Sequence, residues 1–231
     1  MDIGATYAVA STKVAPGIRG IKMRKPASVM SLTKFGRVRL SETFFMRDFL
    51  CSEIAAIDRM PNVPDNPDLA IAAGTQLCEQ VLEPLQAKFG RLAVRSSYRS
   101  SEVNGHGAAQ QAAGKSGYTC ASNASNAAGH IWDVLDDGRM GATACIIVPK
   151  VWDRLHHDPD GWQKLAWWIH DHLPYSGMTF YPKYWAFNIG WHEQPSRSIF
   201  SSIPPKTGYI TRAGWDNNGG SHETLWLGLF D

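Results

Sequence analysis

The chain has 231 residues, of which 44% are hydrophobic and 19% are charged. These proportions are ordinary for a soluble globular protein, and the length suits one domain with a full hydrophobic core and short appendages. The formal net charge is only +2, whereas nucleic-acid binding needs a concentrated basic face. A general function in binding polyanions is therefore not expected.

No segment combines a charged start, an apolar stretch and a small-residue cleavage site, the pattern of a secretory signal peptide. No run of about 18 apolar residues is present that would span a bilayer. We therefore expect a soluble cytoplasmic protein without a membrane partner. Release would require lysis or a dedicated export route.

The four cysteines show no C-x-x-C spacing, which argues against a closed zinc knuckle. Cys51 and Cys78 lie among apolar neighbours and are expected to be buried thiols. The nine tryptophans gather in the second half of the chain. Large rings of this kind favour a role in the core over stacking on a ligand.

Three parts of the chain are expected to differ in organisation. Residues 1–40 form a basic N-terminal arm with Asp2 as its only acidic residue, residues 41–203 form the folded domain, and residues 204–231 form an apolar tail. The arm is expected to be partly disordered or packed over the domain. The alternative is an electrostatic contact with an anionic partner such as cell-wall polymer or nucleic acid. The tail is expected either to pack on the domain or to bind a protein partner.

The first half of the domain has helical periodicity. Ser41 is expected to cap a helix that carries the apolar residues from Phe44 to Ile57, and the proline-rich residues 61–67 end it. A second helix is predicted over residues 68–88, with Gly90 after it and a strand beginning at Leu92. Residues 96–104 are expected to form a turn and the start of a helix.

The second half alternates between strands and helices. Strands are predicted over residues 129–133, 143–148, 178–181 and 186–191, with the first two paired and the last two antiparallel. A helix is predicted over residues 152–173. Its His170, Asp171 and His172 are expected to be surface or capping residues, because positions i and i+2 of a helix point in different directions. The expected fold is α+β, with a small, mainly antiparallel sheet and packed helices.

Three segments carry a family resemblance. Residues 95–104 read Arg-Ser-Ser-Tyr-Arg-Ser-Ser-Glu-Val-Asn, residues 124–133 read Ala-Ser-Asn-Ala-Ala-Gly-His-Ile-Trp-Asp, and residues 187–192 read Phe-Asn-Ile-Gly-Trp-His. In order and spacing they resemble the active-site segments of the zinc D-Ala-D-Ala carboxypeptidase and dipeptidase family, which has the Hedgehog-type DD-peptidase fold. The resemblance extends over residues 44–188 and implies a bacterial or phage protein.

The resemblance implies a cleft whose usual metal ligands are altered. Asp133 matches the family's carboxylate ligand, but Asn126 and Asn188 stand where its two ligand histidines would be. Trp185 stands near the position of the general base. Amide oxygens are weak zinc ligands, so neither a metal nor another cofactor is expected. Arg99 matches the arginine that holds the substrate's carbonyl or carboxylate, with Ser97 in the adjoining turn.

Three chemistries remain open for this cleft. The first is a shifted zinc site, built from Cys120, His130 or His192 together with Asp133. The second is a cysteine nucleophile, Cys120, activated by His106 or one of the other two histidines. The third is a site that binds without hydrolysis, in which the cleft's side chains hydrogen-bond a peptide-like ligand: Ser97, Arg99, Asn126, Asp133 and Asn188.

The leading expectation is a divergent carboxypeptidase-like protein that lacks zinc hydrolysis and binds a peptide or peptidoglycan-like ligand. The first alternative is an active peptidoglycan peptidase of phage or prophage type with a rearranged site. The second is a scaffold or interaction protein, since a fold does not fix a function. For the leading expectation, Arg99→Ala and Asp133→Ala should weaken ligand binding and leave the fold intact.

Overall fold

A computed structural model describes residues 22–229. These residues form an α+β structure in which helices pack on a six-stranded sheet with the strand order β1-β2-β4-β3-β5-β6. The strands are β1 (Ala93–Ser96), β2 (Gly141–Ile147), β3 (Gly177–Phe180), β4 (Phe187–His192), β5 (Ser198–Ser201) and β6 (Gly208–Thr211). Neighbouring strands are antiparallel except for β3 and β5. The expected α+β class with a mainly antiparallel sheet is confirmed.

Residues 22–40 pack against the rest of the domain. Helix α1 (Val29–Gly36) is capped by Ser28, and Phe35 within it is fully buried in the hydrophobic core. Lys25 Nζ lies 2.6 Å from Asp65 Oδ1. In its described part the arm is therefore packed over the domain, whereas residues 1–21 of the predicted arm lie outside the described residues.

The predicted helix after Ser41 is wrong. The segment contains a 3-10 turn (Met46–Phe49) and a short helix α2 (Glu53–Ile57) that is capped by Ser52. No helix begins directly after Ser41, whose hydroxyl instead donates to Glu83 Oε1 at 2.7 Å.

The second predicted helix is confirmed. Helix α3 (Pro67–Leu77) runs through a π-helical turn (Cys78–Leu82) into α4 (Glu83–Phe89), which ends at Gly90 with a positive φ of 82°. Pro84 lacks an N–H, so the regular helical hydrogen bond is missing at this point, and π-helical turns relieve such interruptions. The α3 segment packs on β2 and β4 and covers one face of the sheet.

The predicted strand over residues 129–133 is wrong. Turns take its place: Asn126 O accepts from both Gly129 N and Ile131 N, and Ala128 has a positive φ of 51°. Strand β2 pairs with β1 and β4 instead. Upstream, the helix expected after residues 96–104 is present as α5 (Ser101–Ala112), and a short helix α6 (Asn123–Asn126) precedes the turns.

The helix predicted over residues 152–173 is two helices, α7 (Pro149–Leu155) and α8 (Gly161–His172). Pro159 lies in the break, where a proline cannot continue the hydrogen-bonding pattern of the first helix. At Gly161 a Cβ atom would lie 2.8 Å from Leu155 O, so glycine permits the close approach of the two helices.

The described part of the tail packs on α8. Helix α9 (Glu223–Trp226) contacts α8, and Leu229 is buried. Asp171 accepts from the His222 backbone N–H and from Trp226 Nε1, both at 2.7 Å. His170 is 3% exposed and lies 2.6 Å from the Tyr175 hydroxyl. His170 is therefore buried, contrary to the expectation of a surface or capping residue, whereas His172 is exposed as expected.

The tryptophans mostly serve the core, as expected. Six of them are buried: Trp132, Trp162, Trp167, Trp168, Trp185 and Trp191. Cys78 is buried as expected, but Cys51 is exposed, contrary to the prediction. Among residues 22–229, no helix has the length and apolar character needed to cross a bilayer.

Candidate functional site

A cavity of about 590 Å³ opens beside the sheet where β1, β2 and β4 adjoin. Cys145 of β2 and Asn188 of β4 are directly paired, so both side chains point to the same face, away from α3. The opposite wall comes from the start of α2, the loop before Cys120 and the turn at His130. Its lining includes the larger polar and charged side chains Glu53, Arg95, Arg99, His130, Tyr181 and Asn188, together with smaller hydroxyl and thiol side chains.

Two arginines bring positive charge to this cavity. Arg99 is half-buried, and its backbone N–H donates to His130 O at 2.8 Å, which fixes the turn after β1. Its Nη1 contacts Cys120 Sγ. Arg95 belongs to β1 and is exposed. Across the described part of the chain, neither guanidinium forms a salt bridge with a carboxylate of the protein.

The uncharged groups of the lining are held neutral by burial. Burial lowers the pKa of His130 to about 4, and the nearby Arg99 charge acts in the same direction. The neutral ring donates from Nδ1 to Ser97 O at 2.8 Å. Burial also raises the pKa of Tyr181 and of Cys145. The acidic and basic side chains of the lining are Arg95, Arg99 and the exposed Glu53.

Asn188 presents an amide to the cavity. Its Nδ2 donates to the Tyr181 hydroxyl at 3.2 Å, which orients both side chains. The Asn188 backbone lies in the middle of the sheet, paired with Cys145 on one side and Thr179 on the other. This amide is therefore held on a rigid element, which favours precise recognition of a ligand.

Two of the predicted cleft residues lie outside the cavity lining. Ser97 is buried, and its hydroxyl donates to Thr143 O at 3.0 Å, which ties the turn after β1 to β2. Asn126 is also buried and donates from Nδ2 to Asn104 Oδ1 at 3.0 Å and to Ala121 O at 3.2 Å. Both side chains are thus committed to internal hydrogen bonds.

Asp133 is likewise committed to the fold. One carboxylate oxygen accepts from the backbone N–H groups of Asp65 and Asn66 at 2.8 and 3.2 Å. The other accepts from the Tyr98 hydroxyl at 3.0 Å. Asp133 is 8% exposed and holds the loop before α3 against the turn after β1. The structure therefore brings Arg99 and Asn188 to one cavity and leaves the other three predicted cleft residues outside its lining.

The residues of the alternative chemistries are dispersed. His192 lies on the same face of β4 as Asn188, but four residues along a strand correspond to roughly 13 Å. The Nδ1 atom of His192 lies 3.0 Å from Gln194 N. Burial raises the pKa of the Cys120 thiol, although the Arg99 charge opposes this effect. Within residues 22–229, no three His, Cys, Asp or Glu side chains are grouped closely enough to hold a metal ion.

The lining residues that sequence reasoning missed include Glu53, Arg95 and Tyr181. Arg95 had a detectable signal, because it opens the same motif that contains Arg99. Tyr181 and Glu53 had none, since they approach the cavity from separate elements. No family model, curated protein or solved structure matches this chain.

Proposed function

We propose that this protein binds the carboxyl-terminal end of a short peptide of the peptidoglycan stem type in the cavity and does not cleave it. The observation that carries the proposal is the pair of arginines, Arg95 and Arg99, in a cavity whose other buried titratable groups are neutral. The peptidoglycan class follows from the resemblance of the motifs around Arg99, Asp133 and Asn188 to zinc D-Ala-D-Ala carboxypeptidases.

The chemistry of the lining suits a peptide terminus. A guanidinium presents parallel N–H groups that match a carboxylate, and such charge-assisted bonds are about twice as strong as neutral ones. The amide of Asn188 offers both a donor and an acceptor to a peptide bond. Glu53, exposed at the rim, supplies a negative charge for an ammonium group of the peptide.

Two observations support binding rather than cleavage. The Asp133 carboxylate accepts hydrogen bonds from two backbone N–H groups and from the Tyr98 hydroxyl, so it is not free to act on water. The Cys120 thiol has a raised pKa, which disfavours the thiolate that a nucleophilic mechanism needs. That no cofactor takes part remains a prediction.

The proposal is tested by calorimetric titration with diacetyl-Lys-D-Ala-D-Ala and with its carboxamide, which lacks the terminal charge. The free acid should bind, and the carboxamide should bind at least about tenfold more weakly, since a hydrogen bond to a charged group contributes roughly 1.5–3 kcal/mol. Arg99→Ala should reduce affinity for the acid by a similar factor. Arg37→Ala, an exposed arginine after α1, is the matched control and should bind like the wild type.

Equal affinity for acid and carboxamide, or an Arg99→Ala variant with unchanged affinity, would contradict the proposal. Release of D-alanine during prolonged incubation would replace binding by hydrolysis, and its loss with a chelator or with Cys120→Ser would identify which of the two alternative mechanisms operates. Absence of any binding would favour the scaffold alternative.

A further inference from the structure

A continuous row of side chains leads from the cavity to the far edge of the sheet. Cys145 pairs with Asn188, Asn188 with Thr179, Thr179 with Phe200, and Phe200 with Tyr209. Directly paired residues of neighbouring strands project to the same face. The row therefore crosses β2, β4, β3, β5 and β6 at one level.

The outer part of this row faces away from the core. Met178 and Ile199, the neighbours that point to the opposite face, are 2% and 0% exposed. Thr179 and Phe200 are half-buried, and Tyr209 is 50% exposed. A ligand that leaves the cavity along the row thus has an accessible surface to lie on.

The row ends in an exposed aromatic stack formed by Tyr209, Arg212 and Trp215. The guanidinium carbon of Arg212 lies 5.3 Å from the centre of the Tyr209 ring and 5.2 Å from that of Trp215. Phe200 supports Tyr209 in an edge-to-face contact with ring centres 5.3 Å apart. Trp215 is 41% exposed, so two large rings with a cation between them face solvent at the sheet edge.

The separation of the stack from the cavity sets the size of a ligand that would reach both. Four strand spacings of about 4.8 Å place Tyr209 roughly 19 Å from Cys145. An extended peptide advances about 3.3 Å per residue, so about six units cover the distance. In a peptide of five residues whose carboxyl end is in the cavity, the group attached to the amino end would therefore meet the stack.

We propose that the Tyr209–Arg212–Trp215 stack is a second subsite, which binds a sugar ring joined to the amino end of the peptide held in the cavity. This inference rests on the proposed function and specifies its ligand as a glycopeptide. A pyranose has an apolar face of C–H groups and a polar rim of hydroxyl and carbonyl groups. The flat aromatic rings match the apolar face, and the N–H edges of Arg212 match the rim.

The stack favours a sugar over an apolar peptide side chain because its two rings are exposed at the sheet edge and are not enclosed in a pocket. An apolar anchor gains most of its binding energy in an enclosed, desolvated pocket. Exposed rings in contact with a guanidinium instead suit an amphipathic ring that stays partly hydrated. An aromatic residue at the amino end of the peptide is the competing occupant, and the experiment distinguishes it.

The test compares N-acetylmuramoyl pentapeptide with the same pentapeptide without the sugar, by calorimetric titration. The muramoyl form should bind up to about tenfold more tightly, the range expected for one stacking contact. Trp215→Ala should abolish this difference while leaving affinity for the free pentapeptide unchanged, and Trp215→Phe should restore most of it. Leu225→Ala, an exposed apolar residue of α9, is the control and should keep the difference.

Length provides an independent check. N-acetylmuramoyl dipeptide is too short to reach both subsites and should bind no more tightly than the free dipeptide. If the pentapeptide binds but its sugar adds nothing, the second subsite is refuted while the proposed function stands. If neither ligand binds, the proposed function fails and the subsite fails with it. If a pentapeptide extended by an amino-terminal Phe gains as much affinity as the muramoyl form, and loses it in Trp215→Ala, the assignment of a sugar is overturned.

Discussion

Replacing Asp133 by alanine tests whether this residue now serves the fold. Its carboxylate holds two backbone N–H groups, at Asp65 and Asn66, and the hydroxyl of Tyr98. Tyr98 is fully buried and Asp133 nearly so. Asp133→Ala therefore leaves three donors without their partner at a place that water reaches poorly. The sequence-based expectation that this substitution spares the fold should fail.

The magnitude follows from the bonds that are lost. Hydrogen bonds to a charged group contribute roughly 1.5–3 kcal/mol each, but bonds that share one acceptor group are not additive. We expect Asp133→Ala to lower the free energy of unfolding by about 3–5 kcal/mol, a large part of the roughly 5–15 kcal/mol of a typical domain. For a chain of this length the melting temperature should fall by about 6–20 °C.

Urea denaturation followed by circular dichroism measures the effect. Asp133→Asn retains one acceptor oxygen for the backbone N–H groups and should cost only about 1–2 kcal/mol. Asp153→Ala, an exposed position on α7, should change stability by less than about 0.5 kcal/mol. If Asp133→Ala is as stable as this control, the carboxylate does not anchor the loop, and the structural role assigned to it is refuted.

Two further predictions concern pH and packing. The pKa of His130 is lowered to about 4 from an ordinary 6.5, mainly by burial, so the folded state favours the neutral ring. The resulting stability is complete above about pH 6.5 and declines as the pH falls towards 4, by up to about 3 kcal/mol. When denaturation is measured between pH 7.5 and 4.5, the free energy of unfolding should decline less steeply in His130→Gln than in the wild type. Parallel declines in the two proteins would contradict this prediction. At Gly74 an added Cβ atom would lie 2.6 Å from Trp132 Cζ3 in the core. Gly74→Ala should therefore lower the free energy of unfolding by about 1–3 kcal/mol, as measured by thermal denaturation. The control is Gly219→Ala, whose Cβ would have no atom of the described chain within 4 Å; equal stability of the two variants would refute the packing argument.

Elements with strong local patterns were predictable from the sequence. The apolar spacing over residues 68–88 marks the long helical segment α3 to α4, and Gly90 marks its end because it adopts a positive φ. The β-branched run of β2 and the alternation in β4 likewise identify strands. In each case the side chains that meet the core recur at the period of the element itself.

Elements set by distant partners were not predictable. Ser41 looks like a helix cap, but it bonds to Glu83, which lies 42 residues away. Residues 129–133 have the composition of a strand. They form turns instead, in which the N–H groups of Gly129 and Ile131 donate to Asn126 O. A local sequence pattern does not reveal whether a residue forms a hydrogen bond with a distant part of the chain.

The same distinction applies within the site. The motif that contains Arg99 and the strand that carries Asn188 were found from the sequence, and both side chains line the cavity. The role of Asp133 could not be found, because its partner Asp65 lies 68 residues earlier in the chain. Spacing within a motif locates a residue on the chain, whereas only the fold determines whether its side chain faces the ligand.

The same contacts bear on the proposed function. Catalysis by a metal requires several ligands to converge on one point, whereas the Asp133 carboxylate is bonded to Tyr98 and to the loop before α3. Recognition of a carboxylate requires only donors and positive charge, which Arg95 and Arg99 supply without a metal. Under the proposed function, the amide of Asn188 hydrogen-bonds the peptide. The contacts of Asp133 and the position of Asn188 are thus compatible with the proposed binding of a peptide without cleavage.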